Sequence, residues 1–170
     1  MNSKRILVPV DLLRGSARAL VFVQNMAMET PLCVTLLHVV DLNIAPAQQT
    51  VYDQLCAEGE AALRKLARLF FGADQAVRVT VRVGKPAAEI VAEARAASAD
   101  MIVLCGPKSA KGLRLFRRGT TQEVVHSAPC PTVVLPHPGK GAPQSLAPQY
   151  RPVSEEVCAF ADVGQRAAAA

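Results

Sequence analysis

Short β-branched runs alternate with longer amphipathic stretches from the start of the chain to about residue 136. Strands are expected at Arg5–Val10, Cys33–Val39, Val77–Val83, Met101–Cys105 and Thr132–Leu135, where apolar and β-branched residues cluster. Helical patterns fill the gaps at Ser16–Glu29, Thr50–Phe71, Pro86–Ser98 and Thr120–Ser127. In the second of these, Leu55, Leu63, Leu66, Leu69 and Phe70 follow the three-and-four spacing of one buried face. Ser16 stands where a hydroxyl can cap a helix. Pro86 stands where a first helical residue has no use for its N–H. Strand–helix alternation with connections of this length implies βαβ units. The chain is therefore read as α/β: a doubly wound five-stranded parallel sheet, order 3-2-1-4-5, with helices on both faces. Four strands are almost wholly apolar, as burial on both faces requires. The third alternates valine with Arg78, Thr80 and Arg82, which suits an edge strand whose charge discourages stray pairing.

Composition narrows the class. With 170 residues, 51% of them hydrophobic and 19% charged, the chain has room for one domain and a short appendage, and wholesale disorder is excluded. No apolar run is long enough to cross a bilayer, and the first ten residues lack the features of a signal peptide, so the expected compartment is the cytoplasm. The domain is placed at 3–136. Residues 137–170 are rich in proline and glycine and read as a tail, with room for a short helix after Ser154. The five cysteines form no C-x-x-C pair, which argues against a zinc site or a disulfide framework. Cys33, Cys105 and Cys130 lie in or beside apolar runs and are expected to be buried.

Charge changes the picture more. The net charge is +5, and Lys108, Lys111, Arg114, Arg117 and Arg118 crowd one segment that contains no acid. Such a cluster attracts phosphate. Aromatic residues make up only 4% and tryptophan is absent, so bases of single-stranded nucleic acid would find few stacking partners, and a small nucleotide fits better. In a doubly wound sheet, ligands sit beyond the carboxyl ends of the strands where the winding reverses, here between the first and fourth. Asp11 and Gly106 close those strands and face one crevice. Gly106 and Gly119 allow close backbone approach to phosphate, and Gly119-Thr120 opens a helix whose free N–H groups favour an anion. Asp11 is placed to accept from a ribose hydroxyl or an adenine amino group.

Ile6-Leu7-Val8-Pro9-Val10-Asp11, Leu36-Leu37-His38-Val39-Val40, Gly84-Lys85-Pro86, Ala99-Asp100-Met101-Ile102-Val103 and Ala128-Pro129-Cys130-Pro131-Thr132-Val133-Val134 resemble the universal stress protein family, in that order. The resemblance spans about residues 3–136. Nucleotide-binding members carry G-x2-G-x9-G-[ST], and Gly106, Ser109 and Gly119-Thr120 fall at those spacings, with Ser109 in place of the second glycine. The resemblance implies an adenosine pocket lined by Pro9, Asp11 and Val39. It also implies that Gly106, Ser109, Gly119 and Thr120 hold ribose and phosphate groups of ATP, with Mg2+ accompanying the phosphates. The neighbouring cations, Lys108 among them, would supply charge-assisted donors. Ser109 adds a side chain but keeps its N–H and brings a hydroxyl, while Pro107 removes one N–H from the loop. A homodimer paired through strand Thr132–Leu135 is implied as well. The expected function is an adenine-nucleotide-binding stress-response or regulatory module. The alternative is a family member that binds no nucleotide and acts through protein contacts. A weak ATPase ranks last, because Asp11 is the one acid placed for such chemistry.

The remaining polar residues read as structural. His38 is expected in the core or facing a second copy, and His126 at a helix C-terminus, where a cation suits the dipole. Glu89 and Glu93, one turn apart, are expected on a solvated helix face.

Overall fold

A computed structural model describes residues 3–12, 16–41, 49–72, 76–106 and 119–136. The elements alternate as read: β1 (Lys4–Pro9), α1 (Ala17–Glu29), β2 (Leu32–Asp41), α2 (Gln49–Phe71), β3 (Val77–Gly84), α3 (Pro86–Ala96), β4 (Met101–Cys105), α4 (Thr120–Ser127) and β5 (Thr132–Leu135). All strand pairs are parallel and the order is β3-β2-β1-β4-β5. This is the doubly wound α/β sheet the sequence predicts.

Helices cover both faces. Ile6, Val8 and Val10 of the first strand and the loop after it share one cluster with Ala19, Leu20 and Val23 of α1 and with Leu63, Ala67 and Phe70 of α2. The opposite face gathers Leu7, Leu37, Ile102 and Leu104 against Ala87, Ile90 and Ala94 of α3 and Val124 of α4. Ile6, Leu7 and Val8 are each at most 1% exposed, so β1 is buried on both sides as the central strand. Burying each such side chain contributes about 1.5–3 kcal/mol. α2 approaches the sheet closely at Gly59, where an added Cβ would lie 3.1 Å from His38 Cδ2.

Four local expectations need correction. Leu69 is exposed, while Leu63, Ala67 and Phe70 form the buried stripe of α2. Ser16 flanks α1 but makes no side-chain cap, because its hydroxyl instead accepts a hydrogen bond from the Asp11 N–H at 2.9 Å. Cys33 is exposed, and Cys105 and Cys130 are half-buried. Glu89 and Glu93 do not form a solvated face. Glu93 is 2% exposed, and Arg82 of the edge strand donates to it from Nε at 2.7 Å and to Glu89 from a terminal nitrogen at 3.4 Å. A buried carboxylate is tolerated only with such a partner. His38 is satisfied, with Nδ1 donating to the Val10 carbonyl at 3.0 Å, but it is only partly buried and stands outside the core. The predicted tail, 137–170, lies outside the described residues.

Candidate functional site

The register of the sheet assembles the crevice. β1 pairs with β2 as Pro9–Leu37 and with β4 as Leu7–Ile102. Carried past the strand ends, the same registers set Asp11 level with Val39 on one side and Gly106 on the other. Side chains alternate between faces along a strand. Leu7, Leu37 and Leu104 point to the α3/α4 face, so Pro9, Asp11 and Val39 point there too, as would a side chain at position 106. Val39 does pack against that cluster. Cys105 faces the other way, toward α1, and burial pushes its thiol upward despite the Ala19 backbone and Arg18.

α4 reaches the same end from the far side. Its last turn leads almost directly into the start of β5, which runs parallel to β4. The C-terminus of α4 therefore lies at the amino ends of the strands, and Gly119-Thr120 opens it beside their carboxyl ends. Gly119 is extended (φ −69°, ψ 156°), and its carbonyl accepts from the N–H groups of Gln122 and Glu123. The N–H groups of Thr120 and Thr121 have no acceptor within the helix, as at any helix N-terminus. Thr120 is exposed and Glu123 is the acid of the first turn.

The loop under β1 is braced from two directions. Ser16 Oγ holds the Asp11 N–H, and the His38 imidazole holds the Val10 carbonyl. Sequence reasoning missed both braces. Arg18 donates to the Pro136 carbonyl, tying the start of α1 to the residue after β5. Gly106 donates to the Leu135 carbonyl at 2.7 Å, which prolongs the β4–β5 ladder to the rim of the crevice.

The glycines of the crevice differ from a glycine the fold requires. At Gly84, φ is +158° and an added Cβ would stand 2.7 Å from Glu89 Oε1, so both backbone and packing demand glycine. Gly106 has no such backbone demand, and an added Cβ would make ordinary contacts at 3.5 Å with Val134 and the Leu135 carbonyl. Gly119 would meet nothing within 4 Å among the described residues. Among the described residues neither packing nor conformation explains these two glycines.

The comparisons with known proteins agree with this fold. A family model of the universal stress protein family matches residues 2–136. The chain belongs to the universal stress protein family. The universal stress protein MJ0531 of Methanocaldococcus jannaschii is 31% identical over 144 residues, covering 81% of this chain and 84% of that one. The universal stress protein UspA from Lactobacillus plantarum superposes with a TM-score of 0.61 at 25% identity, covering 79% of this chain and 99% of its own. The solved protein MJ0577 gives a TM-score of 0.69 at 22% identity over 82% of this chain and 99% of its own, a likeness of fold. The matched region of this universal stress protein ends where the predicted tail begins.

Of the site residues read from the sequence, the fold brings Pro9, Asp11, Val39 and Gly106 to one face and one end of the sheet, and Gly119 and Thr120 to that same end. Lys108 and Ser109 lie outside the described residues, as do Pro107, Lys111, Arg114, Arg117 and Arg118. Among the described residues no group of three or more His, Cys, Asp or Glu is gathered for a metal ion, and no helix is long and apolar enough to cross a membrane. An open groove of about 470 Å³ lies at the opposite end of the sheet, beside Arg5, Cys33 and Arg78, away from the crevice.

Proposed function

We propose that this universal stress protein binds an adenine nucleotide, ATP foremost, in the crevice between the carboxyl ends of β1 and β4, and serves as a regulatory module. The observation that carries the reading is the pair of glycines. Gly106 and Gly119 border the crevice, and nothing else described in the protein accounts for the absence of a side chain at either. A phosphate approaching the N–H groups at the start of α4 accounts for Gly119, and close passage of the ligand over a bare Cα accounts for Gly106, whose own N–H is held by the Leu135 carbonyl. Asp11 and Val39, level with Gly106, supply a carboxylate acceptor and an apolar contact for the nucleoside, on the wall that also carries Pro9. Thr120 adds a hydroxyl at the helix N-terminus. Ser109 and the basic residues from Lys108 onward would complete the phosphate side, with Mg2+ riding on the phosphates. A universal stress protein solved in complex with cAMP shares the fold, at a TM-score of 0.58 and 14% identity.

We place a second copy of the chain against β5. Among the described residues no strand pairs with that edge of the sheet, and Val134 on it is 39% exposed. A partner strand would cover it and satisfy its free backbone groups.

Thermal unfolding with ATP, AMP and cAMP tests the nucleotide reading. A ligand at about 100 times its dissociation constant adds roughly 2.7 kcal/mol to stability. Gly119→Val should abolish the shift while leaving the free protein folded, since the position is open to a side chain. A wild-type protein that none of these ligands stabilises would favour the alternative, a module acting through protein contacts alone.

A further inference from the structure

We propose that Arg82, clamped between Glu89 and Glu93, is a positioning residue that sets the base end of the nucleotide crevice; this rests on the nucleotide reading above. Neighbouring strands lie about 4.8 Å apart, so the line from β4 through β1 and β2 to β3 spans roughly 14 Å. Gly106, Asp11 and Val39 mark its first three strands. Arg82 marks the fourth, because it pairs in register with Val39. A nucleotide with its phosphates at Gly119 and its nucleoside over Asp11 and Val39 points its base at the corner between β3 and α3.

That corner is held rigid before any ligand arrives. Two nitrogens of the Arg82 guanidinium, Nε at 2.7 Å and a terminal one at 2.6 Å, meet the same Glu93 oxygen, and the other terminal nitrogen lies 3.4 Å from Glu89. Glu89 belongs to the first turn of α3 and Glu93 to the next, so one side chain on the edge strand pins two turns of the helix. Glu89 lies over the bare Cα of Gly84, within 2.8 Å of where a Cβ would stand. Hydrogen bonding to Glu93 and the charge of both acids hold the guanidinium protonated against its partial burial. Glu93 cannot lose this partner without leaving a charge stranded at 2% exposure. A wall fixed in advance spares the ligand the entropy of ordering it. The wall touches the base, whereas the phosphates lie three strands away.

The test compares ATP with inorganic tripolyphosphate by calorimetry in wild type, Arg82→Lys, Arg82→Gln, and a triple variant, Arg82→Met with Glu89→Gln and Glu93→Gln. The triple variant removes the buried charges together and keeps the fold testable should Arg82→Gln unfold. Amide hydrogen exchange of the first two turns of α3 is followed without ligand. Breaking the clamp should speed that exchange and weaken ATP roughly tenfold, because the corner must then be ordered on binding, while tripolyphosphate affinity stays constant. Arg82→Lys, a point charge without the planar fork, should fall between. Unchanged ATP affinity in a folded variant, or equal weakening of ATP and tripolyphosphate, overturns the proposal and leaves the nucleotide reading standing. Wild-type protein that binds neither probe overturns both.

Discussion

α4 is eight residues long, and Val124 is its one buried side chain among the described residues, at 0% exposure. That contact seats the helix whose N-terminus borders the crevice, so Val124→Ala tests the coupling between core and site. The substitution removes two methyl groups, a transfer loss of about 1.6 kcal/mol at about 0.8 kcal/mol each. The space left in the cluster that Val124 shares with α3 and the sheet adds a cavity cost, for a total of about 2–3 kcal/mol. Alanine is the better helix former by up to about 0.7 kcal/mol, which offsets part of this. Val125 provides the control, being the next residue and 52% exposed. Val125→Ala deletes the same atoms and gains the same propensity, so the difference between the variants isolates burial. Urea denaturation should show the midpoint of V124A falling at unchanged slope, with V125A within about 0.5 kcal/mol of wild type. ATP affinity should fall in V124A alone. Equal midpoints for the two variants would refute the seating of α4 on Val124, and an unaffected ATP affinity in a destabilised V124A would separate the core from the site.

Three further outcomes are expected. Glu93→Ala should cost about 2–3 kcal/mol in denaturant, below the usual range for breaking a buried pair because Arg82 remains a third exposed and keeps Glu89; a loss under about 0.5 kcal/mol would place the carboxylate in solvent. The Asp100 carboxyl is held below the ordinary carboxylate range by hydrogen bonds from the Arg5 side chain and backbone. Stability from this pair is therefore full above about pH 4 and is lost as pH falls through the lowered value. Comparing wild type with Asp100→Asn across that window checks the sign, since the difference between them should shrink toward acid. Brief alkylation of the native protein followed by peptide mapping should label exposed Cys33 before Cys105, whose thiol is pushed up by burial; the reverse order would contradict the placement of Cys33.

The architecture was legible because parallel strands buried on both faces, β1 above all, leave apolar runs, and because the alternation of Val77–Val83 matches the edge place that the expected order assigns it; the apolar run of β5 misled, since that strand is only half-buried and Val134 is exposed. The crevice followed from the order, since registers run level in a parallel sheet. What escaped was set by neighbours distant in sequence. Leu69 fits a three-and-four list, yet it lies about 120° round the helix from Leu63 at 100° per residue. Cys33 sits in an apolar strand, but α3 ends at Ala96, before it covers that end of the sheet. Glu93 looked solvent-facing because helix patterning scores a carboxylate by its own helix, whereas its partner stands eleven residues back on a strand. Two acids one turn apart, following a strand whose alternating polar positions include Arg78 and Arg82, were the available signal. Ser16 matched a cap by residue type and was diverted by the Asp11 N–H, a competition between nearby donors that local pattern does not resolve.

The central position of β1 has a consequence for how the protein comes into being. Residues up to Gly84 carry β1, β2 and β3 together with α1 and α2, one complete layer and three-fifths of the sheet. This portion leaves the ribosome first, but a domain folds as a unit, so one side of β1 waits for β4. β4 must then insert beside β1, where Asp100 meets Arg5, 95 residues earlier in the chain. Asp11 and Val39 belong to the early portion, Gly106 and Gly119 to the late one. A ligand spanning them would act as a rivet across the seam, so nucleotide would guard the finished molecule against splitting along β1 and β4 and would find no purchase on a chain cut short after β3.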